Sequence, residues 1–130
     1  MFKFFIIIIF SIIFSEIAFS QTFLHSSWYN IKNYGAAGDG KTVDTKFIND
    51  AIDEAAKAGG GTILFPAGTY LSYSIHLKSN ISLYFDQGCI LLAADSSAGG
   101  KYDTPEPNAF DKYQDYDHSH WQNSLIWEKI

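Results

Sequence analysis

The three glycines at Gly59–Gly61 separate two hydrophobic rhythms in this chain, and few folds accommodate both. Before them, Phe47, Ile48, Ala51, Ile52 and Ala55 recur at the spacing of one helix face, while Lys46, Asn49, Asp50, Asp53 and Lys57 take the opposite face. After them come the short runs "TILF" (62–65), "YLSYSIHL" (70–77), "ISLYF" (81–85) and "CILLAA" (89–94), separated by "PAG", "KSN" and "DQG". The apolar period changes from about 3.6 residues to about 2. The spacing predicts a helix of about thirteen residues, N-capped by Asp44 or Thr45 and stopped by Gly59 in the left-handed conformation. Strands this short and close form a meander, a barrel or a coiled solenoid. The 19 residues from Thr62 to Ile81 suit successive coils stacked on one another.

The N-terminus carries Lys3, then the apolar block "FFIIIIFSIIF" (4–14), then "AFS" (18–20). That is the layout of a secretory signal peptide, and the block falls short of the roughly 20 residues that a spanning helix needs. Residues 1–20 are therefore expected to be removed, leaving a mature chain from Gln21. Residues 21–130 are then one incomplete domain, secreted or periplasmic and without membrane association. Cleavage takes away one lysine and one glutamate, so the formal net charge stays at −5.

"GAAGDGKT", Gly35–Thr42, satisfies the phosphate-loop pattern, and "CILLAAD" (89–95) mimics the strand and aspartate that would hold magnesium. A working phosphate loop opens its helix at the Lys-Thr pair, so that helix amides face the anion. Here Val43 and Asp44 intervene, Asp39 would set a carboxylate among the phosphates, and export takes the chain away from nucleotides. No nucleotide partner is expected. The chain also has no arginine and an excess of acid, which disfavours nucleic acid. Cys89, the sole cysteine, lies in an apolar run and reads as a buried structural thiol.

Residues 95–123 form a long polar stretch with Gly and Pro punctuation, and a segment of this kind is functional or disordered. Its aromatics, Tyr102, Phe110, Tyr113, Tyr116 and Trp121, argue for order against a surface. "SLIW" (124–127) restarts an apolar strand, which is still running at Ile130, so the sequence reads as cut. Asp115 and Asp117 would stand about 6.7 Å apart if extended, close to the lower limit for an inverting carboxylate pair, but nearby acids in a polar loop are ordinarily solvated. Asp117, His118 and His120 are metal-ligand types without a distant third anchor, so no metal and no other cofactor is expected. His25 and His76 have no partner nearby in sequence and read as surface or core residues. "NIS" at Asn80 fits a glycosylation acceptor in a eukaryotic source.

The run from Tyr29 to Leu91 combines Tyr-Gly-Ala with Gly-Asp-Gly, Asp-Thr before the helix, Gly-Gly-Gly-Thr, Pro-Ala-Gly-Thr-Tyr and Leu-Lys-Ser-Asn. It resembles the N-terminal part of the pectate-lyase-like parallel β-helix proteins, above all glycoside hydrolase family 28, the polygalacturonases. The resemblance implies an all-β, right-handed parallel β-helix whose N-terminal end is covered by the amphipathic helix. It makes "GAAGDGKT" the turn into that helix, with Asp39 and Thr42 holding turn amides, and Cys89 an inward-facing stacking residue.

The resemblance further implies inverting hydrolysis of galacturonan by a complete protein acting as a monomer. The family's aspartate motifs, Gly-His-Gly and Arg-x-Lys are absent here, so no catalytic residue can be assigned. Asp117, His118, His120 and Trp121 are the candidates for lining a substrate groove, imidazoles bonding sugar hydroxyls or carboxylates and the indole packing on a sugar face. The other reading of that loop is one braced by its own aromatics. A noncatalytic adhesin or tailspike-like module and a lyase of the same fold are the alternatives for the whole.

Overall fold

The structure, a computed structural model, describes residues 27–105 and 124–128. These contain strands β1 (Trp28–Asn30), β2 (Asp39–Val43), β3 (Gly61–Phe65), β4 (Gly68–Ser72), β5 (Ile75–Leu77), β6 (Ile81–Phe85), β7 (Cys89–Ala93) and β8 (Ile126–Glu128), and helix α1 (Thr45–Lys57). The expected leader, residues 1–20, and the loop candidates Asp117, His118, His120 and Trp121 lie outside the described residues.

Strands pair as β1-β3-β6, β2-β4-β7 and β5-β8, each ladder parallel. Parallel neighbours need a crossover between them, and here the crossover is a trip through the other two sheets. Thus β3, β4 and β5 make one coil and β6, β7 and β8 the next. Thr62 stands beside Ser82, a step of 20 residues and not the 19 anticipated, because β3 begins one residue earlier, at Gly61. The second sheet repeats after 21 residues, Thr69 beside Ile90. The third repeats after 51, Ile75 beside Ile126. The polar stretch of residues 95–123 falls within that one long step.

The helix forms as its periodicity requires. Ile48, Ala51, Ile52 and Ala55 are fully buried with Ile31, Ile63, Phe65, Tyr70 and Ile75 in the main core, and Phe47 packs against its edge. Complete burial of Ile48 or Ile52 contributes about 1.5–3 kcal/mol each. Lys46 pairs with Asp50 on the outer face. At the C-terminus, Gly60 N–H reaches Ala55 O at 2.9 Å and Gly59 N–H reaches Ala56 O at 3.0 Å, with Gly59 at φ +96 as the left-handed stop demands.

The other end differs from expectation. Asp44 occupies the N-cap position but makes no side-chain cap. Its buried carboxylate turns back to accept Ala37 N–H at 2.6 Å and Gly38 N–H at 2.9 Å. Thr45 Oγ1 is also taken, accepting Tyr73 N–H at 2.8 Å. Both side chains tie α1 to neighbouring segments, where buried amides have greater need of an acceptor.

"GAAGDGKT" is a turn only in its first half. Asp39–Thr42 belongs to β2, which pairs with β4 through an irregular register, so tertiary pairing overrides a sequence of poor strand propensity. Asp39 does hold the turn amides, accepting Lys41 N–H at 2.8 Å and Thr42 N–H at 2.7 Å. Amides that a phosphate would require are thereby occupied, and α1 begins three residues beyond Thr42. "YLSYSIHL" is likewise two strands. The chain turns a corner at Tyr73–Ser74 and passes from the second sheet to the third. Cys89 packs against the main core but is half-buried, not buried; desolvation, and then the charge of Asp86, push its thiol pKa up.

Candidate functional site

In-register parallel pairing sets His76 on β5 directly beside Trp127 on β8. Side chains at paired positions share a sheet face, and the two rings meet edge to face with centroids 5.0 Å apart. Asp103, at the start of the long excursion, joins both: its Oδ2 accepts Trp127 Nε1–H at 2.8 Å and bonds His76 Nε2 at 2.6 Å. An ionised carboxylate only accepts, so His76 carries hydrogen on Nε2, and in the neutral ring Nδ1 is left as an acceptor.

The cluster is braced from behind. Asn49 on α1 accepts His76 N–H at 2.8 Å and donates to Ser74 O at 3.1 Å, bracketing β5 from the helix. Asp103 N–H donates to the hydroxyl of buried Ser74 at 3.0 Å. Tyr73 holds the start of the excursion by donating its hydroxyl to Asp95 O and accepting Gly100 N–H. Its ring packs on Tyr102, so the first residues of the polar stretch lie ordered against a surface. Asp95 lies two residues beyond the end of β7 and caps the turn that follows, accepting Ser97 N–H at 2.7 Å.

Burial pushes the Asp103 carboxyl upward, but the hydrogen bonds from His76, Trp127 and Ser74 and the His76 charge outweigh it, and the net pKa lies below the usual carboxylate value. In front of the cluster is a cleft of about 340 Å³ lined by His76, Leu77, Lys78, Ser79, Trp127 and Glu128. Lys78 at its edge pairs with Asp53 of α1 at 2.6 Å. Among the described residues no group of three or more His, Cys, Asp or Glu could hold a metal ion.

This site was not evident from local sequence. His76 has no partner within its own stretch, yet it finds one 27 residues on in Asp103. The usable signal was that a histidine and a tryptophan lie in two runs, "YLSYSIHL" and "SLIW", that suit strands of stacked coils. Candidates Asp117, His118, His120 and Trp121 belong to the undescribed part of the same excursion.

Residues 28–124 match the family model described as rhamnogalacturonase A/epimerase, pectate lyase-like. Among curated relatives, alginate lyase 7 of Azotobacter vinelandii is 62% identical over 42 residues, 32% of this chain and 5% of its own length. Plasmin and fibronectin-binding protein A of Streptococcus pneumoniae is 46% identical over 65 residues, 48% of this chain and 9% of its own. The solved family 28 exopolygalacturonase of Yersinia enterocolitica superposes with a TM-score of 0.54 at 31% identity, over 77% of this chain and 16% of that enzyme. The chain thus spans a small fraction of the length of each.

Proposed function

Because this chain belongs to the rhamnogalacturonase A/epimerase, pectate lyase-like family, we propose that the complete protein is an exported glycoside hydrolase that cleaves galacturonosyl linkages of pectic polygalacturonan with inversion. The observation that supports it is the likeness to the Yersinia exopolygalacturonase over 77% of this chain. Residues 1–20 direct export and are removed. In the mature protein, α1 covers the N-terminal end of a right-handed solenoid whose first coils are those of β3 to β8, each gaining stability from the next.

Inverting hydrolysis needs an acid and a base across the scissile bond, separated by about 6.5–9.5 Å. With none of the expected aspartate, Gly-His-Gly or Arg-x-Lys motifs in this sequence, the acid and base are assigned to the rest of the complete protein, which acts as a monomer. Asp117, His118, His120 and Trp121 line its groove.

The test is to express the complete protein and follow polygalacturonate by reducing-end release and by ultraviolet absorbance of unsaturated products. Reducing ends without unsaturation support hydrolysis. Unsaturated products favour the lyase reading, for which the identity to alginate lyase 7 speaks. Neither signal, with retained glycan binding, favours a noncatalytic module, for which the identity to the plasmin and fibronectin-binding protein speaks.

A further inference from the structure

We propose that the cleft over β5 and β8 is a binding subsite for one uronate unit, with Lys78 and His76 receiving its carboxylate and Trp127 its ring; this rests on the reading of the complete protein as acting on galacturonan. At about 340 Å³ the cleft is at the lower end of the roughly 300–1,000 Å³ of small-molecule sites, suited to a short stretch of saccharide.

Strand register decides what a ligand on the indole meets. His76 and Trp127 are a pair across β5 and β8 and share one face, and Lys78, just past the end of β5, lines the same cleft. The next pair, Leu77 and Glu128, alternates to the opposite face. Two cationic side chains and one aromatic ring are thus grouped together.

Each cation is backed by one carboxylate and keeps a nitrogen hydrogen for a ligand. Lys78 Nζ gives one of its three hydrogens to Asp53 Oδ1 at 2.6 Å, and two remain. Asp103 Oδ2 holds Nε2 of His76 at 2.6 Å, so Nδ1 is the nitrogen left over. The His76 charge that helps to lower the Asp103 carboxyl makes Nδ1 a donor; in the neutral ring it accepts from a sugar hydroxyl instead. With His76 charged, Lys78 and His76 balance Asp53 and Asp103, and distance then decides the sign. A carboxylate about 3 Å from the ammonium and about 5–6 Å from Asp53 behind it is attracted roughly twice as strongly as it is repelled. A neutral sugar gains nothing from this arrangement.

Trp127 supplies the surface for the pyranose ring. Its Nε1–H is held by Asp103 and its ring lies edge to face with His76, so the indole is positioned before a sugar arrives and loses little entropy on binding. Because the acid and base are assigned to the rest of the complete protein, the cleft contributes to holding the chain and not to breaking it. Such a contact lowers KM and leaves kcat alone.

The experiment assays the complete protein on polygalacturonate and measures its retardation in native gels containing polygalacturonate or a neutral galactan. Lys78→Gln is expected to raise KM about tenfold, the loss of one charge-assisted hydrogen bond, with kcat unchanged and retardation by polygalacturonate reduced. Lys78→Arg should restore both. Asp53→Asn breaks the same ion pair but keeps the ammonium, and is expected to lose neither, with thermal melts confirming that all three variants fold. If Asp53→Asn is as harmful as Lys78→Gln, the pair is only structural and the proposal falls. Neutral galactan retarding the protein as strongly, with the same dependence on Lys78, overturns the uronate assignment. Turnover and retardation both indifferent to Lys78→Gln remove the subsite and keep the hydrolase reading; Lys78-dependent retardation without turnover does the reverse.

Discussion

The carboxylate of Asp44 accepts the amide hydrogen of Gly38 at 2.9 Å, so the residue preceding α1 is turned back toward the loop it has just left. Ala37 N–H shares the same carboxylate, and Asp44 itself is fully buried. Asp44→Ala leaves two amides without their acceptor and is expected to lower stability by about 2–4 kcal/mol, read as a fall in the urea midpoint at constant slope. Asp44→Asn keeps one acceptor oxygen and loses less. A change for Asp44→Ala within about 0.5 kcal/mol, the size of an ordinary surface substitution, would show that water serves these amides equally well.

Gly38 and Gly40 have φ of +62 and +71, where a side chain is strained. A Cβ on Gly38 would sit 2.8 Å from the Tyr70 ring, whereas one on Gly40 would lie 3.1 Å from the Thr69 methyl. Both alanine variants should lose at least about 1 kcal/mol, Gly38→Ala more than Gly40→Ala, and Gly40→Val more than Gly40→Ala because of its branched Cβ. Thermal melts rank them, and equal losses at 38 and 40 would mean that the Tyr70 ring simply moves aside.

Lys41 is exposed on β2, and its amide is held by Asp39. Lys41→Ala should change stability by no more than about 0.5 kcal/mol, and isothermal titration with ATP should give no heat for either protein. Micromolar ATP binding that disappears in the variant would restore the phosphate-loop reading.

Asp39 has its pKa lowered to about 2 by the amides of Thr42 and Lys41 and by the Thr42 hydroxyl. Asp103 is lowered too, its hydrogen bonds prevailing over burial. Groups depressed in the folded state contribute stability that is present above the unfolded value and lost as pH falls through the folded one. The attachment of residues 100–103 to β5 and β8 should therefore hold at neutral pH and loosen only below the ordinary carboxylate pKa of about 3.9. Hydrogen exchange at the Asp103 amide, with Asp103→Asn as comparison, reads this out. Loosening already near neutral pH would show that the Asp103 carboxylate does not carry the attachment.

The helix and most strands were legible because each carries its own period, and because glycine punctuates the change between them. Strand β2 was hidden, since "DGKTV" has no alternation of its own and owes its extended form to β4 beside it. The corner at Tyr73–Ser74 was hidden for the opposite reason: the apolar rhythm of "YLSYSIHL" runs straight through it, and the bend is held by bonds from distant segments, Tyr73 N–H to Thr45 Oγ1 and Asn49 to Ser74 O. His76, Asp103 and Trp127 come together through coil stacking and the return of the excursion, which no window of local sequence contains. The family resemblance reached the architecture that brings them together but attached no role to them.

Between β4 and β5 two residues turn the corner, whereas 32 separate β7 from β8, yet β8 still lies in parallel register on β5. Closing a longer loop costs only about 0.6 kcal/mol for each doubling of its length. The third corner is therefore a graft point: sequence can be exchanged or lengthened there with little effect on the ladders beside it. Novelty in what the surface presents can accumulate at that corner while the rungs that support it stay unchanged.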